Sequence, residues 1–105
     1  MSTVVESSRE IADRIRRLAP QLRDHGVRRL ALFGSFIREA QHGDSDVDLL
    51  VDFVPGQKTY DNLFAAGELL ERVLGRRVEL VTRDSLSPYI GPRILQEAVD
   101  VVVAD

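Results

Sequence analysis

Three acids set in apolar, strand-like runs, with one Gly-Ser pair ahead of them, are the residues here whose types and spacing suit chemistry. Gly34-Ser35 is followed, after ten residues, by Asp46-Val47-Asp48. On an extended strand residues i and i+2 point to the same side, roughly 6–7 Å apart, so Asp46 and Asp48 share a face. Like charges about 4 Å apart repel by about 4 kcal/mol at an effective dielectric near 20. A divalent cation removes that cost, and hard carboxylate oxygens select Mg²⁺ or Mn²⁺ over softer metals. Glu79 repeats the pattern between Val78 and Leu80. If its strand lies beside the Asp46 strand, three carboxylates can hold two metals about 3.5–4 Å apart, which suits in-line displacement at phosphorus. Gly34-Ser35 would supply the phosphate end. Glycine lets backbone amides approach an anion, serine adds a hydroxyl donor, and the N-terminus of a following helix favours negative charge.

The elements that must position these residues are legible as periodicities. Ile11, Ile15, Leu18 and Leu22 share a helix face, and Ser7 with Glu10 forms a capping box that starts it. Pro20 should break or kink this helix, and Gly26 suits its end. Residues 28–33 read as a buried strand, 36–40 as a brief helix and 41–45 as a polar loop. The 46–53 strand turns Val47, Leu49, Val51 and Phe53 one way and Asp46, Asp48, Leu50 and Asp52 the other. Residues 60–74 are helical, with Phe64 in the apolar stripe, Gly67 at a close packing point and Gly75 as terminator. A strand over 76–81 carries Glu79. Ser87-Pro88 opens a last helix through Ala98, which Pro92 restarts or kinks, and 99–103 form a final strand. The alternation predicts a mixed α/β domain, a small twisted sheet of mixed strand direction with helices packed mainly on one face.

Composition narrows the function. The chain has 105 residues, 44% apolar and 30% charged, with no cysteine and a formal net charge of −3. That is the size of one domain spanning 1–105. Thiol nucleophiles, disulfides and cysteine zinc sites are excluded. The longest apolar runs are four residues, far short of a membrane span, and residues 1–10 carry no secretory signal pattern. A cytoplasmic protein is expected. Seventeen acidic against fourteen basic residues disfavour direct nucleic-acid binding.

Competing motifs fail on spacing. Read as a calcium loop from Asp44, the chain would need Gly and Glu where it has Leu49 and Pro55. No P-loop, dinucleotide fingerprint or nucleophile elbow occurs. His42 reads as a solvated loop residue, His25 as a helix-end residue, the Arg28-Arg29 and Arg76-Arg77 pairs as solvated flanks, and Tyr60 and Tyr89 as packing residues.

The order of strand, Gly-Ser, loop, Asp-x-Asp strand, helix and acid-bearing strand resembles the minimal nucleotidyltransferase domains of the DNA polymerase β superfamily. The resemblance covers nearly the whole chain and is anchored on Leu32-Phe33-Gly34-Ser35, on 44–51 and on Val78-Glu79-Leu80-Val81. It implies that Gly34 and Ser35 bind nucleotide phosphates, with Arg38 as a phosphate cation. It also implies that Asp46 and Asp48 bind two Mg²⁺ ions and that Glu79 completes the metal site and assists deprotonation of the attacking hydroxyl. Many small members resemble antitoxins that act on a HEPN-domain ribonuclease toxin, so the implied activity is transfer of AMP from ATP to a toxin tyrosine within a hetero-oligomer. The family often has arginine and glycine where this chain has Phe36 and Glu39. Those two residues favour an alternative in which the chain inhibits its partner by binding alone. Transfer to a small molecule is a further alternative.

Overall fold

The computed structural model describes residues 7–38, 40, 41, 43 and 45–103. Helix α1, Ser8–Arg17, starts where the Ser7 hydroxyl accepts the Glu10 N–H at 3.2 Å, and it buries Ile11 and Ile15. The chain breaks at Leu18 and resumes as α2, Ala19–Asp24, with Pro20 in its first turn, where a missing N–H costs nothing. Gly26, at φ 80°, turns the chain into β1, Val27–Phe33. Strand β2, Val47–Phe53, is followed by α3, Tyr60–Leu74, which ends on left-handed Gly75, and by β3, Val78–Thr82. Helix α4, Gly91–Glu97, leads directly into β4, Val99–Val103.

The four strands form one sheet in the order β3-β2-β1-β4. Strand β1 runs antiparallel to both β2 and β4, while β2 and β3 are parallel. A parallel pair needs a crossover, and α3 supplies it. The mixed sheet is the expected one. Side-chain alternation divides its two faces. Leu30, Leu32, Val47, Leu49 and Val51 join Ile11, Ile15, Leu22 and Leu70 in the main core. Each such burial stabilises by about 1.5–3 kcal/mol. The other face carries a small apolar centre of Ala31, Phe33 and Leu50, with Val81, Leu86 and Ile94 against it. Asp48 lies on this second face, at the end where α4 leaves the sheet partly open.

Four expectations need correction. The described residues of 36–40 do not form an α-helix. After Gly34 a single 3₁₀ turn spans Gly34–Phe36, with the Ile37 and Arg38 amides both donating to the Gly34 carbonyl at 3.1 Å. Phe36 causes this, because its ring drops into the main core and is 1% exposed. Ser87 caps the turn that precedes the helix, and its carbonyl accepts the Gly91 N–H at 2.7 Å, but the regular helix does not begin there. Its hydroxyl accepts the Tyr89 and Ile90 amides, and α4 starts later, at Gly91. Gly67 is not at a tight contact, since a Cβ there would meet Leu80 at an ordinary 3.7 Å. Phe64, Tyr60 and Tyr89 are 59%, 81% and 92% exposed, so none is a packing residue of the core. No helix among the described residues is long and apolar enough to cross a membrane.

Candidate active site

The register of the sheet decides which acids meet. Strand β2 pairs with β3 so that Asp48 lies opposite Glu79, and with β1 so that Asp48 lies opposite Phe33, the residue before Gly34. One row across three strands therefore carries Phe33, Asp48 and Glu79, with the Gly34 bend at its end. A cavity of about 530 Å³ opens over this row. Asp48 and Glu79 line it together with Gly34 and Arg38 and with Ile90, Arg93, Ile94 and Glu97 of the α4 segment.

Gly34 is required twice over. Its φ of 80° lies in the left-handed region, and a Cβ there would stand 2.2 Å from Asp48 Oδ2. The bend and the carboxylate are thus in contact, and the absent side chain is what admits the acid.

The Asp48 carboxyl is pushed up to about 6, first by burial, then by the Glu79 charge and a hydrogen bond with Glu79, and further by Asp46. Arg38 acts in the opposite direction. Carboxylates brought this close repel one another, and a positive charge between them relieves that repulsion. The donor set is hard oxygen, so these residues fit Mg²⁺ or Mn²⁺. The convergence is closer for Asp48 and Glu79 than for Asp46. Asp46 precedes β2 and does not line the cavity, though its charge reaches Asp48. Among the described residues no three acids or histidines are drawn together as a ready-made metal cage.

Ser35 follows Gly34 within the 3₁₀ turn, half-buried and outside the cavity lining. That turn replaces the helix N-terminus expected to favour an anion, so backbone support for a phosphate comes down to the Gly34 bend. Arg38 is exposed and pairs with Glu97 at 3.0 Å. His42, Glu39 and Asp44 lie outside the described residues.

Sequence reasoning missed two participants. Arg76 is not a solvated flank. Its guanidinium lies 5.1 Å from the centre of the Phe36 ring and donates to the carbonyls of Gly43 and Ser45 at 3.1 and 3.0 Å. It thereby ties the loop before Asp46 to the start of β3. Arg76→Ala should lower stability by about 1–2 kcal/mol in urea denaturation, and Arg76→Lys should recover less than half, because lysine lacks the planar fork. The second is Glu97, whose contacts span 63 and 59 residues of sequence and leave no local signal.

A second cleft, about 580 Å³, opens at the other end of the sheet near Arg28, Lys58 and Arg83. Arg83 pairs there with Asp52 at 2.9 Å and Lys58 with Asp84, so two of its cations are already matched by carboxylates.

Comparison with known proteins identifies the family and the fold. Residues 9–101 match the family model described as "Nucleotidyltransferase domain". The protein adenylyltransferase MntA of Thermococcus cleftensis is 44% identical over 78 residues, 72% of this chain and 76% of that protein. A solved structure provisionally described as a minimal nucleotidyltransferase superposes with a TM-score of 0.76 at 32% identity, covering 90% of this chain and 95% of its own. At 20% identity, where only the fold is informative, the chain superposes with a TM-score of 0.59 on a solved complex of Shewanella oneidensis tri-AMPylated HEPN toxin with its MNT antitoxin. That match covers 91% of this chain and 72% of the other.

Proposed function

We propose that this chain, which belongs to the nucleotidyltransferase domain family, transfers AMP from ATP to a hydroxyl of a partner protein. The acceptor is a tyrosine of a HEPN ribonuclease toxin, and the modification neutralises it. The observation that carries this reading is the Asp48–Glu79 pair beside the Gly34 bend in one open cavity. The name of the Thermococcus cleftensis relative supports protein adenylylation, and the Shewanella oneidensis complex supports a HEPN partner.

In this reaction the acceptor oxygen bonds to the α-phosphorus. The bond from that phosphorus to the oxygen bridging to the β-phosphate breaks, and pyrophosphate leaves with the electron pair. Asp46, Asp48 and Glu79 would hold two Mg²⁺ ions, or Mn²⁺ in their place, which when bound supply charge neutralisation and hydroxyl activation. The Gly34 amide, the Ser35 hydroxyl and Arg38 orient the β and γ phosphates. Glu79, on an edge strand and exposed, would take the acceptor proton. The protein's part is positioning and charge, with no covalent intermediate on the chain. The whole described fold serves as a single catalytic unit, and the net acidic balance favours a protein acceptor over RNA. The setting is a cytoplasmic hetero-oligomer.

Phe36 bears on the alternative of inhibition by binding alone. Its ring is a core anchor under Arg76 and takes no carboxylate away from the cavity. Incubation with α-labelled ATP, Mg²⁺ and a purified HEPN-domain toxin separates the readings. Label on the toxin, lost when its acceptor tyrosine is replaced by phenylalanine, is the expected result. An unlabelled toxin that is nevertheless inhibited would leave binding alone. Label on an aminoglycoside without any protein partner would move the acceptor to a small molecule.

A further inference from the structure

We infer that Glu97 is an internal anion that occupies the seat of a nucleotide phosphate and must be displaced when nucleotide binds. The inference rests on the nucleotide reading above. One Glu97 carboxylate oxygen accepts the Gly34 N–H at 3.0 Å, and the other accepts from Arg38 Nη1 at 3.0 Å. These are two of the groups that the chain offers to a phosphate. A carboxylate and a phosphate present the same kind of acceptor, anionic oxygen, so one donor set serves both, but not at once.

Location strengthens the argument. Glu97 is the last residue of α4, its side chain is 21% exposed, and it lines the same cavity as Asp48 and Glu79. A third carboxylate in a cavity that already holds two needs partners of its own, and Gly34 and Arg38 are the ones that hold it. Swinging the side chain toward solvent releases both donors and removes a negative charge from the path of a polyanion. The contact lowers affinity for nucleotide and keeps the bend formed while the cavity is empty.

The test is a calorimetric titration of the full chain with ATP and Mg²⁺, and separately with adenosine. Glu97→Ala should bind ATP about tenfold tighter than the parent, the value of one charge-assisted contact no longer displaced. Glu97→Gln should fall between them, because its amide oxygen still accepts from Gly34 but carries no charge toward Arg38. Adenosine affinity should not change. Asp100→Asn, the loss of an exposed acid at 3.8 Å from Arg29, controls for bulk charge and should leave ATP affinity within about twofold. The Gly34 amide ¹⁵N–¹H resonance should shift in Glu97→Ala and move back when ATP is added. Equal or weaker ATP binding by both Glu97 variants, or an equal gain in Asp100→Asn, would overturn the inference. ATP binding by neither parent nor variants would instead overturn the nucleotide reading on which it rests. Glu97→Gln preserves shape, so the test survives if the alanine variant does not fold.

Discussion

Asp48→Asn should reduce adenylyl transfer by on the order of 10³-fold while leaving the chain folded. The substitution keeps the shape of the side chain and removes the charge that faces Glu79 and the Gly34 bend. Its effect on stability has the opposite sign to its effect on turnover. The Asp48 carboxyl lies at about 6 in the folded chain against an ordinary 3.8. A raised carboxyl is held more tightly as the neutral acid, so its favourable contribution is complete below about pH 4. That contribution is lost as pH rises through about 6. Taken at face value the linkage is worth about 3 kcal/mol, and solvent screening of this half-exposed group reduces it to about 1 kcal/mol. Without divalent metal at pH 7.5, the asparagine variant should therefore melt about 5 °C higher than the parent. At pH 4 the two should melt together. A variant that melts lower than the parent at pH 7.5 would mean that Asp48 is a structural ligand, not a strained acid.

Gly34→Ala should damage both stability and turnover. Alanine at φ 80° costs about 1–2 kcal/mol from backbone conformation alone. The new methyl would also stand 2.2 Å from Asp48 Oδ2, so either the acid or the bend must move. Together these should cost about 2–4 kcal/mol in urea denaturation. Transfer should fall by on the order of 10²-fold, because a displacement of about 1 Å is enough for that loss. The two contributions are separable. Asp48→Ala placed in the Gly34→Ala background removes the clash but not the strained backbone, and should return about 1–2 kcal/mol. No recovery would show that the whole cost is conformational and that the bend and the acid are not in contact.

How much of this was legible in the sequence varies by residue. The strand around 46–53 was readable because apolar and acidic residues alternate there except at Leu50, and the observed core contains Val47, Leu49 and Val51 as that alternation requires. The start of α1 was readable because a cap is a contact over three residues. Glu79 could be placed on a strand, but its position opposite Asp48 depends on a parallel register set by the α3 crossover, a non-local fact. Residues 36–40 misled because Phe36 looks like a helix former until its ring is known to belong to the core. Arg76 and Glu97 were invisible for a related reason. Each acts on residues more than thirty positions away, and neither sits in a local pattern that distinguishes it from an ordinary surface charge.

The central claim is that Asp48 and Glu79 form a cation seat beside the phosphate-binding bend. Titration of Mn²⁺ followed by electron paramagnetic resonance, with a non-hydrolysable ATP analogue present, tests it most directly. The parent chain should take up Mn²⁺ with loss of the free-ion signal, and Asp48→Asn and Glu79→Gln should each weaken uptake at least tenfold. Uptake by both variants equal to that of the parent would contradict the account.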